Sequence, residues 1–219
     1  MNATRLSDMP SAPRSREQHP VRTPGHDALH DRAADNIRFI RDTMARAGAF
    51  TSVSGAGVMG AGVVGSLAAL TSSTAPSRDN PAGLVSVWFI AALVAGGVSW
   101  VAIRRKAART GQSLSAGPAR QFALAFAPAL VAGAVLTVVL QARGLESLLP
   151  GMWLTLYGAA VTAGGVLSVR PVPIMGAAFL LLGAACFALQ PVGQLYFLAA
   201  GFGGLHLLFG FLIARHHGG

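Results

Sequence analysis

The chain has 219 residues, 53% of them hydrophobic and only 11% charged, with a mean hydropathy of +0.54. Soluble domains carry about a quarter charged residues, so an ordinary water-soluble globule is excluded. The formal charge is nonetheless +9, which leaves a membrane protein or a nucleic-acid binder with an unusually greasy core.

The charges crowd toward the start: the first 48 residues hold 8 Arg and 6 acidic side chains. Residues 1–32 mix these with Pro10, Pro13, Pro20 and Pro24 and almost nothing large and apolar. Such a segment buries too little surface to offset its ordering entropy, and it is expected to be a disordered cytoplasmic tail. No apolar run follows early enough for a secretory signal, and the acids argue against a transit peptide.

Residues 33–48 read differently. Ile37, Ile40, Met44 and Ala47 recur at helical spacing, with Arg38, Arg41 and Arg46 mostly on other sides. Asp35 or Asn36 can cap the start and Gly48 the end. The segment is expected to form an amphipathic helix at an anionic membrane surface. The plainer alternative is a short extension of the first span.

Six apolar runs follow, at about 49–70, 84–103, 122–140, 149–169, 172–189 and 195–214. Each approaches the ~20 residues an α-helix needs to cross ~30 Å of hydrocarbon. Apolar residues run on rather than alternating, which argues against a β-barrel. The predicted fold class is all-α, a six-helix transmembrane bundle over 49–214 with a short C-terminus at 215–219. With the N terminus inside, cytoplasmic segments hold 15 Lys+Arg and outer loops only Arg78 and Arg143. That asymmetry places both termini in the cytoplasm. Trp88, Trp153 and Tyr196 near outer ends and Trp100 near an inner end fit interfacial anchors.

Within the first run, GAGVMGAGVVG (55–65) contains G-x-G-x-x-G twice. No strand precedes it, so it reads as a small-residue face for close helix packing rather than a dinucleotide loop. Gly158/Thr162 and Ala92/Gly96 repeat the pattern and favour Gly-mediated packing or a homo-oligomer. The run RRKAAR at 104–109 sits just inside a span without interleaved aromatics. Arg104, Arg105, Lys106 and Arg109 are therefore expected at the lipid surface or on an acidic cytosolic partner, with no nucleic acid implied. Arg38, Arg41, Arg46 and Arg215 join them.

Pro128 should kink the third span by freeing the Leu124 carbonyl. His206 sits near mid-depth of the sixth, and an intramembrane ionisable residue is a candidate by default. By depth, Thr162, Ser99 and Ser54 come within its reach. The plain reading is a neutral imidazole hydrogen-bonded to a neighbouring helix; the sharper one is a proton- or ligand-linked role. Neither a metal-ligand set nor a cofactor motif is present, and Cys186, alone in an apolar run, reads as a small buried hydrophobe.

DNIRFIRDTMARAGAFTSVSG (35–55) and GGLHLLFGFLIARHHGG (203–219) resemble the two ends of an uncharacterised family of small bacterial six-span integral membrane proteins. The resemblance implies the fold, a location in the bacterial cytoplasmic (inner) membrane and termini inside, but no activity. Its matched polar positions are Arg38, Arg41, His206 and Arg215. Six spans with a His on the sixth also resemble rhomboid intramembrane serine proteases. Their G-x-S-G is missing, since the fourth span reads GGVLSV with Ser168 at its cytoplasmic end. The expected function is non-enzymatic, a structural or regulatory protein binding a partner or anionic lipid by its basic face. The alternative is a small oligomeric transporter or channel with His206 in the pathway.

Overall fold

In a computed structural model, the described residues are 31–40, 53–74, 81–110, 117–166, 168–189 and 193–217. The chain divides into two units, Met1–Ala45 and Arg46–Gly219. In the first, helix α1 covers 31–40, with Ile37 and Ile40 exposed and Arg38 Nη1 donating to Asp35 Oδ1 at 3.1 Å. It covers the first part of the expected interfacial helix; 41–48, with Arg41 and Arg46, lie outside the described residues. So does the expected tail apart from 31–32.

In the second unit the helices are α2 (Gly55–Ser72), α3 (Pro81–Thr110), α4 (Gly117–Ala142), α5 (Leu149–Gly165) and α6 (Pro171–Ala188). A last helix, α7, runs as α-helix over Gln194–Leu198, π-helix over Ala199–Leu205 and α-helix again over His206–His217. This is an all-α membrane protein. Among the described residues, α2, α3, α4, α6 and α7 are long and apolar enough to cross a bilayer. Helix α5, with 17 residues, falls just below that length.

Local chemistry sets the boundaries. Ser54 takes the extended backbone of an N-cap, and its Oγ accepts the Gly57 N–H at 3.3 Å, starting α2. Pro150 and Pro171 stand in first turns, where a missing N–H costs nothing. Gly193 precedes α7 at φ 77°, a left-handed conformation that Gly adopts freely. At the far end of α7, His216 Nδ1 donates to the Leu212 carbonyl at 3.0 Å, so a terminal imidazole satisfies a late helix carbonyl. Helix α4 continues through Pro128 without ending.

Packing follows the glycines. Helix α2 lies between α3 and α7, and α5 lies between α4 and α6. A Cβ at Gly62 would fall 2.8 Å from Leu207 N, and one at Gly210 would fall 2.6 Å from Met59 N. A Cβ at Gly158 would meet Leu180 N at 2.7 Å. Backbones thus touch directly along α2–α7 and α5–α6, as small-residue faces allow in lipid. The face containing Ala92 and Gly96 behaves otherwise: both are exposed, and nothing lies within 4 Å of a Cβ at Gly96. That pair packs against no helix among the described residues. Trp88 also departs from expectation, being 7% exposed and turned inward rather than anchoring at the lipid interface. Trp100 and Tyr196 are exposed, as interfacial anchors would be.

Candidate functional site: an aromatic column around one polar pair

The interior is filled by rings contributed by α3, α4, α5, α6 and α7. Phe122 stacks on Phe126 at 5.7 Å, and Phe126 meets Tyr157 edge-on at 6.1 Å. Tyr157 touches Phe179 at 4.9 Å and Phe202 at 5.2 Å. Phe202 reaches Trp88 at 5.5 Å, and Trp88 reaches Trp153 at 6.5 Å. The column ends where Trp153 Nε1 donates to Thr137 Oγ1 at 2.8 Å, tying α5 to α4. Helix α2 adds no ring; its Gly and Ala residues let α7 and α3 close in behind the column.

His206 is seated in this column, 4% exposed, with ring centroids 5.3 Å from both Tyr157 and Phe179. Its Nε2 lies 2.7 Å from Tyr157 Oη. Nδ1 has no hydrogen-bond partner among the described residues. The backbone carbonyls of Gly201 and Phe202 are further polar neighbours of the imidazole, outside hydrogen-bond geometry. The tautomer with hydrogen on Nδ1 faces these carbonyl dipoles and leaves Nε2 to accept the phenol proton. The reverse tautomer would have Nε2–H donate to Oη. In either tautomer the pair closes on itself, enclosed by the rings of Phe126, Phe179 and Phe202.

The sequence-derived candidates are not gathered around His206. Thr162 Oγ1 donates to the Gly158 carbonyl of its own helix at 2.8 Å and packs on Gly176 of α6. Ser99 lies beside Gly57 on α3, and Ser54 is the α2 cap. Pro128 lies within α4, and Gly203 and Gly210 press on α2 while His206 turns to α5. The partner that sequence spacing missed is Tyr157. Its one signal is position: it lies at the middle of its helix, as His206 does. Cys186 is buried, 1% exposed. No three His, Cys, Asp or Glu side chains gather among the described residues.

The basic residues occupy one end of the bundle. Gly55 of α2 abuts Ala214 of α7, and Lys106 Nζ of α3 donates to the Val53 carbonyl at 2.9 Å. Gly164 of α5 touches Phe122 of α4, and Gly165 faces Pro173 of α6. At this end Arg104, Arg105, Arg109, Arg120, Arg170 and Arg215 are exposed. Lys106 is not part of that surface: it is 8% exposed and its ammonium holds the chain just before α2. At the other end the described charges are Arg143 and Glu146. Comparison with family models, with curated proteins and with solved structures gives no match.

Proposed function

We propose that this is a non-enzymatic, multi-pass protein of the bacterial cytoplasmic membrane, structural or regulatory in role, that binds anionic lipid or an acidic cytosolic partner by its basic end. The observation that carries the reading is the six exposed Arg at one end of the bundle against one Arg and one Glu among the described residues at the other. Cytoplasmic leaflets are anionic, and each Lys or Arg near that surface contributes about 1 kcal/mol of attraction. The same asymmetry supports both termini being cytoplasmic. Helix α5 is preceded directly by the 3₁₀ turn Glu146–Leu148. Together they bring it to spanning length, so six crossings are proposed. The bacterial setting rests on the resemblance at residues 35–55 and 203–219.

The test is lipid retention by the full chain purified from a mixed bilayer of phosphatidylglycerol and phosphatidylcholine. Replacing Arg104, Arg105 and Arg109 together with Gln should cut retained phosphatidylglycerol several-fold for each charge removed without changing phosphatidylcholine, on the order of 1 kcal/mol per charge. Equal retention by both proteins refutes the reading. A second reading, a small oligomeric transporter or channel with His206 in its pathway, is favoured by the π-helical stretch beside His206. It requires His206→Leu to abolish a solute flux in a protein that still folds.

A further inference from the structure

Helix α7 is π-helical for seven residues, Ala199–Leu205. Stretches of this kind usually occupy a single turn, hold one residue more than the α-helix needs, and recur at functional sites. Five of the seven residues are Gly or Ala, and the two bulky ones are Phe202 and Leu205. Phe202 stands between two residues that share a feature. Its ring is 5.5 Å from Trp88 and 6.1 Å from His206. Trp88 Nε1 and His206 Nδ1 are both buried and both lack a hydrogen-bond partner among the described residues, on side chains 7% and 4% exposed. An indole N–H can only donate. A buried polar atom without a hydrogen bond is costly; Nδ1 has only the Gly201 and Phe202 carbonyls near it, outside hydrogen-bond geometry, and the two atoms flank one ring.

We propose that Trp88 Nε1 and His206 Nδ1 are the two ends of one internal binding site for water, divided by the Phe202 ring, which a π-to-α rearrangement of residues 199–205 moves aside. Water supplies the acceptor that the indole needs, and it pairs with Nδ1 in either tautomer. The rearrangement is mechanically confined. Converting π to α turns one side of the stretch by about 100° and shifts it by about 1.5 Å. The His206–His217 side is held by the Tyr157 hydrogen bond and by Gly210 against Met59. Movement therefore falls on the stretch that carries Phe202. Opposite it, α2 presents Gly65 to the Phe202 carbonyl and Gly62 to Leu207, with the small side chain of Ser66 against Gly203, so no bulky side chain of α2 stands against the stretch at these contacts. This inference is independent of what the basic end binds.

The experiment measures hydrogen–deuterium exchange of the Trp indole N–H groups by NMR, on the full chain in lipid nanodiscs. Signals are assigned with Trp88→Phe and Trp153→Phe. Trp153 is the internal reference, because its N–H is held by Thr137. In the unmodified protein the Trp88 N–H should exchange about tenfold faster than that of Trp153, although Trp88 is the more buried. Phe202→Leu, which keeps an apolar side chain but removes the ring, should speed Trp88 by about a further tenfold and leave Trp153 unchanged. Deleting Gly204, around whose Cβ position nothing lies within 4 Å, removes the extra residue and should act like Phe202→Leu. A Trp88 N–H as slow as that of Trp153 in the unmodified protein overturns the site, whether or not the variants fold. Exchange at Trp88 that ignores Phe202→Leu overturns the gate.

Discussion

Tyr157 Oη and His206 Nε2, 49 positions apart in the chain, meet at 2.7 Å near the middle of the two helices that carry them. In a bilayer this bond joins α5 to α7 at a depth where few other polar groups are available. Its members are enclosed by Phe126, Phe179 and Phe202, so neither can turn to another helix without breaking ring contacts.

The bond has a measurable worth. Tyr157→Phe leaves Nε2 buried and unpaired, and His206→Phe leaves the phenol so; each should destabilise the bundle by about 1–3 kcal/mol. The double replacement should cost clearly less than the two single costs added, since neither partner is then stranded. Reversible unfolding in mixed micelles measures this cycle. Additive losses would show that the two side chains do not act on one another.

Helix contacts through Gly discriminate between faces. Gly62→Leu and Gly158→Leu drive a side chain into a neighbouring backbone, and each should cost roughly 1–3 kcal/mol or prevent folding. Gly96→Leu enters open space, so the same measurement should move by about 0.5 kcal/mol or less. If Gly96→Leu instead changes the mass of the purified particle, the Ala92/Gly96 face belongs to an oligomer contact.

Lys106 and its neighbours should separate stability from surface binding. Lys106→Met removes a charged donor from the Val53 carbonyl, a loss on the order of 1.5–3 kcal/mol in thermal or denaturant unfolding. Arg105→Gln, on an exposed side chain, should shift unfolding by about 0.5 kcal/mol or less while lowering anionic-lipid retention. Reversed effects would mean that Lys106, not Arg105, faces the lipid.

Five of the expected runs are legible in the sequence because spans announce themselves by length and hydropathy alone, whereas the run expected at 149–169 meets a helix that ends at Gly165 and falls short of spanning length. The expected runs 84–103 and 122–140 lie inside α3 and α4, and 172–189 matches α6 to within a residue at either end. The α2 glycine face was legible too, since small residues at four-residue spacing have few other uses in lipid. What could not be read is which helix faces which. Polarity marks His206, but Tyr157 looks like any aromatic in a span, and depth alone suggests Thr162 and Ser99. Arg104, Arg105 and Lys106 are equivalent as a run of charge, yet successive residues point about 100° apart, and only Lys106 turns inward. The π-helical stretch has no signal beyond its glycines, which look the same in a tight α-helical contact.

The most direct measurement of the central claim, six crossings with the basic end in the cytoplasm, uses single cysteines at the two ends of α5. With Cys186→Ala as background, Leu145→Cys and Arg170→Cys would be treated in intact cells with a membrane-impermeant maleimide. Labelling of position 145 from outside, and of position 170 only after the membrane is opened, is the predicted result. Labelling of both positions from the same side would mean that α5 does not cross, and the proposed topology would be wrong.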